Sequence, residues 1–227
     1  MVEPLRCALC RHLGHCPSGV LMSIEGWAVF ALFWVVFVTS PGPNAVNCIQ
    51  NGMTHGFVRS LWGVAAILTQ SLAFLFLSAA GITALLTASP TAFIMAKILG
   101  AGVLIWLGVR NWRRAVLPLT GQASAPGQIY SRALAIAVIN PKSVAGYLAA
   151  FSQFVQPDVP IGAQMWVIVP TALVITAASY CAYTALGAGL GRAALGAVAN
   201  TAIRRVLAGC FILYGLALGA TAWPRGA

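Results

Sequence analysis

Apolar residues run along most of this chain, and the charged positions between them are few. Five long stretches contain no Asp, Glu, Lys or Arg: residues 26–54, 60–96, 143–157, 159–191 and 206–224. A helix needs about 20 apolar residues to cross a bilayer. The pattern predicts six helices, over residues 24–50, 58–86, 91–112, 130–156, 162–190 and 203–223. It therefore predicts an all-α integral membrane protein with six transmembrane helices.

The longest polar segment, residues 113–131, divides a single membrane domain over 22–223 into two halves. The halves, 22–115 and 128–223, each hold three predicted helices. Because an odd number of spans reverses the orientation of the second half, the sequence predicts two inverted three-helix halves.

Composition and charge agree with a membrane protein. Of the 227 residues, 60% are hydrophobic and 7% are charged, against about 25% charged in soluble domains. The formal net charge of +10 comes from basic residues between the spans, which indicates membrane orientation rather than nucleic-acid binding. The first, third and fifth loops are bordered by Arg59, Arg110, Arg113, Arg114, Arg132, Arg192, Arg204 and Arg205. These loops are expected in the cytoplasm, with both termini outside.

Residues 1–21 are expected to be a disordered leader or a mis-assigned start, because Met22 lies directly before the first span. Cys7, Cys10, His12 and His15 have the side chains of a zinc site, but their spacing is too compact for a standard zinc finger. No metal and no cofactor are predicted.

Prolines interrupt two of the predicted helices. Pro41, Gly42 and Pro43 lie in the first helix, and Pro141 lies in the fourth. A proline removes a backbone donor and clashes with the preceding turn. In hydrocarbon, the freed backbone groups persist only where they are buried in protein or line a wet cavity. Two such breaks predict a substrate site, the alternative being kinks that only improve packing.

The two breaks are expected to face each other near the middle of the membrane. Pro41 lies nine residues before the predicted inner end at Gln50, and Pro141 lies eleven residues into its helix. At about 1.5 Å per residue, both lie about 13–17 Å from the inner boundary. The candidate substrate-binding residues are Pro41, Gly42, Pro43, Asn44, Gln70, Asn140, Pro141 and Lys142.

Lys142 is the one charged residue predicted near mid-depth. A buried cation there needs a partner or a wet cavity, unless its long side chain reaches back to the interface. Gln70 is predicted to bond either the substrate or a neighbouring helix.

The motifs Ser40-Pro41-Gly42-Pro43-Asn44 and Asn140-Pro141-Lys142 together resemble the lysine exporter (LysE/RhtB) family of bacterial amino-acid exporters. The resemblance covers about residues 22–223. It implies a multi-pass protein of the bacterial cytoplasmic (inner) membrane that is a secondary transporter and not an enzyme. Many family members carry an acidic residue near the position of Gln70, and many have proline where this chain has Ser152.

The charge pattern narrows the expected substrate. Glu3, Glu25 and Asp158 all lie outside the middle of a predicted span, so a wholly cationic solute would find no counter-ion there. Lys142 could instead hold a carboxylate. We expect export of neutral or zwitterionic amino acids or derivatives, such as homoserine, threonine or small aliphatic types.

Two other functions stay open at this point. The first is a membrane thiol–disulfide electron carrier of related fold, although Cys48 and Cys181 are solitary and neither proline motif contains a cysteine. The second is a non-transporting membrane assembly factor. The expected partners are a small amino acid and the lipid bilayer, with a homo-oligomer left open and no nucleic acid.

Overall fold

The computed structural model describes residues 23–88, 90–117, 124–156 and 159–222. Within these ranges the regular secondary structure is helical and includes no strand. The α-helices are α1 (Ile24–Thr39), α2 (Pro43–Ala88), α3 (Pro90–Arg113), α4 (Ile129–Ile139), α5 (Pro141–Phe154), α6 (Ile161–Leu190), α7 (Arg192–Val198) and α8 (Thr201–Ala222). Short 3-10 turns at Arg114–Val116 and Pro126–Gln128 lie between α3 and α4. The predicted all-α class is confirmed for the described residues, and the leader, residues 1–21, lies outside them.

Both proline motifs break the helix in which they lie. Ser40 ends α1 with a ψ of 118°, and Asn140 separates α4 from α5 with a ψ of 111°. Both residues precede a proline, whose ring disfavours helical backbone at the residue before it. Pro43 and Pro141 then open α2 and α5, where the missing N–H costs no intrahelical bond.

α2 is bent at one glycine into two legs. Gly56 has a φ of 74° and a ψ of 173°, a conformation that favours a residue without a Cβ. The first leg (43–55) and the second leg (57–88) follow each other without the loop that the sequence predicts around residues 51–57. The two legs are therefore two helical segments that join at Gly56.

The predicted count of six spans is not confirmed. Three described segments are long and apolar enough to cross a membrane: Pro43–Gly81, Ile94–Val116 and Ile161–Leu190. The pair Arg192–Val198 and Thr201–Ala217, bent by 45°, makes a fourth. The count differs from six because the two proline breaks divide predicted helices, while the two legs of α2 are joined into one.

Helix α1 lies at the centre of an aromatic core. Its Phe30, Phe33 and Trp34 are almost fully buried. Phe33 packs against Phe154 of α5 and Phe211 of α8, at ring-centre distances of 5.3 and 6.5 Å. Buried aromatic pairs of this kind add about 0.5–1.5 kcal/mol each beyond their area. The core therefore holds the C-terminal end of α1, and the break that follows it, in a fixed place.

Candidate functional site

A small polar cavity lies where the break between α1 and α2 meets the break between α4 and α5. The described residues that line it are Phe37, Val38, Asn44, Ile67, Gln70, Ser71, Asn140, Lys142, Ser143, Tyr147, Thr176 and Tyr180. Its volume is about 10 Å³, room for about one water molecule. The cavity is therefore closed in this structure and too small for a molecule larger than water.

Lys142 connects the two breaks. Its Nζ donates a hydrogen bond to the backbone carbonyl of Ser40 at 2.5 Å, and it lies 5.3 Å from the ring centre of Phe37. The last carbonyls of a helix lack intrahelical partners and carry partial negative charge. The ammonium group therefore meets the negative end of α1 and an aromatic face, both of which attract a cation.

Two further hydrogen bonds hold the breaks. The hydroxyl of Tyr183 in α6 donates to the carbonyl of Thr39 at 2.5 Å. Asn140 accepts the backbone N–H of Lys142 at 3.1 Å through its side-chain oxygen. Because Asn140 also ends α4, one residue both terminates that helix and caps the next.

The electrostatics of the cavity are set by one lysine. Among the described residues that line it, Lys142 is the one charged side chain. Glu25, exposed at the start of α1, is the one acidic residue in the described ranges. In the described structure the positive charge is therefore balanced by a helix end and an aromatic ring instead of a carboxylate.

Two amide side chains in the cavity wall have unmet hydrogen-bonding capacity. Asn44 and Gln70 are only 4% and 2% exposed, and within the described part of the chain Asn44 Oδ1 and Gln70 Nε2 have no hydrogen-bond partner. A buried polar atom without a partner costs about 1–3 kcal/mol. The closed cavity therefore presents one free acceptor and one free donor beside the lysine.

The structure brings together part of the predicted site. Asn44, Gln70, Asn140 and Lys142 all line the cavity. Pro41, Gly42 and Pro43 form the first break and are not among the described residues that line the cavity, and Pro141 opens α5 at the second break. Gly42 lies beside the stem of Lys142, since a Cβ there would be 3.8 Å from Cδ of the lysine. Nζ of Lys142 binds the Ser40 carbonyl at the facing break, and the depth of this contact in the membrane stays a prediction.

Several lining residues were missed by the sequence analysis, and one group of them left a signal. Thr176, Tyr180, Tyr183 and Thr184 are buried on one face of the mostly apolar α6. Polar residues that recur at helical spacing in such a helix indicate an inward face. Of these, Thr176 and Tyr180 line the cavity, and Thr176 accepts a hydrogen bond from Trp34 Nε1 at 3.0 Å.

The described residues contain no group of three or more His, Cys, Asp or Glu side chains arranged to hold a metal ion. The cysteines and histidines of the first 21 residues lie outside the described ranges. Cys48, Cys181 and Cys210 are free thiols.

Comparison with known proteins identifies the family. The LysE type translocator family matches residues 35–221. An uncharacterized membrane protein of Vibrio cholerae is 36% identical over 174 residues, which cover 75% of this chain and 85% of that protein. A homoserine/homoserine lactone efflux protein of Salmonella typhimurium is 28% identical over 87% of this chain and 97% of its own length. A leucine efflux protein of Klebsiella pneumoniae is 27% identical over 65% of this chain and 70% of its own length.

No solved structure matches the chain. The family match covers both proline breaks and every residue that lines the cavity. It confirms the resemblance noted in the sequence and makes this a membrane protein of a translocator class, not an enzyme. The chain belongs to the LysE type translocator family.

Proposed function

We propose that this chain is a secondary transporter that exports small zwitterionic or neutral amino acids, or close derivatives, across the bacterial inner membrane. The observation that carries the proposal is Lys142, held in a closed polar cavity between two broken helices. Two relatives are named for efflux of homoserine and of leucine, which are zwitterions without a cationic side chain, although the first is also named for homoserine lactone, which has no carboxylate. These names support the substrate class expected from the charge of the cavity.

Lys142 gives the cavity its selectivity in this proposal. A carboxylate can pair with the ammonium group, and the N-terminal ends of α2 and α5 add partial positive charge near Pro43 and Pro141. A cationic side chain would be repelled by the same lysine. The substrate site is proposed to consist of Asn44, Gln70, Asn140 and Lys142, positioned by the helix breaks at Pro41, Gly42, Pro43 and Pro141.

Transport in this proposal requires the cavity to open alternately to the two sides. The six spans are α1 with the first leg of α2, the second leg, α3, α4 with α5, α6, and α7 with α8. In each half, the first span is the one broken by a proline motif, whereas α7 and α8 are separated by a 45° bend without a proline. That correspondence supports two inverted halves, whose relative movement would expose the cavity to one side at a time.

The thiol–disulfide electron carrier is not favoured, because the family is one of translocators and the proline breaks contain no cysteine. Nothing favours the assembly factor over transport. Association into a homo-oligomer remains a prediction, which the mass of the detergent-solubilised protein would test.

The decisive experiment measures uptake of labelled homoserine, leucine, threonine and lysine into inside-out vesicles that contain the full chain. We expect transport of the zwitterions in preference to lysine. Lys142→Gln should reduce transport about tenfold to a hundredfold, because hydrogen bonds to charged groups contribute about 1.5–3 kcal/mol.

Lys97→Gln is the matched control, since Lys97 lies in α3 and is not among the described residues that line the cavity. It should transport like the wild type. A preference for lysine, or full activity of Lys142→Gln, would contradict the proposal.

A further inference from the structure

The end of α1 is an ammonium-binding site that is already filled by this protein's own lysine. The Ser40 carbonyl accepts from Lys142 Nζ, and the Phe37 ring lies beneath the same nitrogen. A backbone carbonyl at a helix C-terminus and an aromatic face form a general cation site. Neither group is specific for lysine, so both are also suited to a substrate's α-ammonium group.

A second observation points to an ammonium ligand at the same place. Asn44 Oδ1 is a buried hydrogen-bond acceptor on the first leg of α2, and within the described structure it has no partner. Asn44 and Lys142 line the same small cavity. An unsatisfied acceptor in the cavity that Lys142 also lines is suited to a ligand with several N–H donors.

The carboxylate of a zwitterion would also have a hydrogen-bond donor in this cavity. Gln70 Nε2, on the second leg of α2, is a buried donor without a partner in the described residues, and it too lines the cavity. A carboxylate has only acceptors, so it would satisfy this donor and could also attract the Lys142 ammonium. The closed site therefore has both an unpaired hydrogen-bond acceptor, Asn44 Oδ1, and an unpaired donor, Gln70 Nε2, among the described residues.

We propose, on the basis of the proposed function, that Lys142 is a tethered stand-in for the substrate's amino group. In the empty site its ammonium occupies the subsite at the Ser40 carbonyl and the Phe37 ring and leaves Asn44 Oδ1 unpaired. When a small α-amino acid enters, its carboxylate draws Lys142 away and binds Lys142 and Gln70. Its ammonium group then takes the place that Lys142 has left.

This exchange explains why the empty cavity has room for only about one water molecule. The lysine fills the amino-group subsite, so the site stays closed without leaving the helix end unpaired. It also makes a specific claim about ligands. An amine without a carboxylate cannot draw Lys142 away, and it would meet a like charge in the subsite.

The test measures binding to the full chain in lipid nanodiscs. The ligands are leucine, isoamylamine (leucine without its carboxylate) and isocaproate (leucine without its amino group), with homoserine, propanolamine and γ-hydroxybutyrate as a second set. In the wild type, only the zwitterions should bind well. Lys142→Ala should weaken binding of the zwitterions and of the acids, yet strengthen binding of the amines at least tenfold, because the subsite is vacated. The control Lys97→Ala should change none of these affinities.

Two further variants keep the proposal testable if Lys142→Ala fails to fold. Asn44→Leu should narrow the affinity gap between leucine and isocaproate about tenfold, because the amino group loses its acceptor. Gln70→Leu should narrow the gap between leucine and isoamylamine instead, because the carboxylate loses its donor. A folded Lys142→Ala that gains no amine affinity, or an Asn44→Leu variant that keeps the full gap, would overturn the proposal. Failure of the wild type to bind any zwitterion would instead refute the proposed function.

Discussion

The backbone N–H of Ser124 donates a hydrogen bond to Asn51 Oδ1 at 2.8 Å, which ties the segment between the two halves to the first leg of α2. The carbonyl of Ser124 lies 2.7 Å from His55 Nε2 of the same leg. Ser124 is only 3% exposed, although it lies in the longest polar segment of the sequence. The linker is thus held by both of its backbone groups at the bend of α2.

Asn51→Leu should therefore loosen the linker. The change removes the acceptor of a buried N–H, which costs about 1–3 kcal/mol. We expect a lower thermal unfolding temperature and faster proteolysis within residues 113–131. Asn47→Leu is the matched control, because neither amide atom of Asn47 has a partner in the described structure. Equal losses of stability in both variants would show that the Ser124 contact contributes nothing.

The same Asn47 yields a prediction about transport. Its side chain is buried on the first leg between Asn44, which lines the cavity, and Asn51. A buried amide without partners costs stability that leucine of similar size would restore. We expect Asn47→Leu to keep or raise the unfolding temperature while it lowers the rate of transport, since the amide would serve the solute as it passes. Unchanged transport would show that Asn47 has no part in the path.

The two prolines should be needed for transport and not for insertion. Alanine at positions 41 and 141 restores an N–H and removes the ring that keeps Ser40 and Asn140 out of the helix. The double variant Pro41→Ala/Pro141→Ala should insert normally and lose most of its activity in the vesicle assay. Pro170→Ala is the control, because Pro170 lies inside the continuous α6 and away from the cavity. Full activity of the double variant would mean that the prolines are only kinks.

The sequence predicted the features that depend on local chemistry. The two proline motifs predicted both helix breaks, and the long apolar runs predicted the all-α class. The partner of Lys142 was not predictable, because Ser40 offers only a backbone carbonyl, which no side-chain pattern reveals. The bend at Gly56 was also missed, because a positive φ at one glycine leaves the hydrophobic pattern on either side unchanged.

The close packing of α2 against α6 is sensitive to a single methyl group. A Cβ on Gly187 would overlap the backbone carbonyl of Ile49, which cannot move without shifting the first leg. Gly187→Ala should therefore destabilise the protein by about 1–3 kcal/mol, the usual cost of overpacking. Gly189→Ala, two residues along α6, has nothing within 4 Å of its new Cβ and should be tolerated. Thermal unfolding of the pair checks this, and equal stability would contradict it.

Contacts between loops bring three arginine-bordered loops to one end of the molecule, and the side of the membrane that this end faces stays a prediction. The guanidinium group of Arg204, at the start of α8, donates to the carbonyls of Arg114, Ala115 and Leu117 after α3, at distances of 2.7, 2.9 and 2.7 Å respectively. The contacts of Ser124 bring the same linker to the bend of α2. The first, third and fifth predicted loops thus meet at one end of the molecule. All three are rich in arginine, which is typical of cytoplasmic loops.

Cysteine labelling in intact cells would test which side this end faces. In a background without the native cysteines, Gly121→Cys should resist a membrane-impermeant maleimide until the cells are opened, because the linker is predicted to be cytoplasmic. Gly162→Cys, at the start of α6, should react from outside, since a side chain there meets nothing within 4 Å and lies at the opposite end of its span. Reaction of Gly121→Cys in intact cells, with Gly162→Cys protected, would reverse the topology and make the cavity's predicted inner face the outer one.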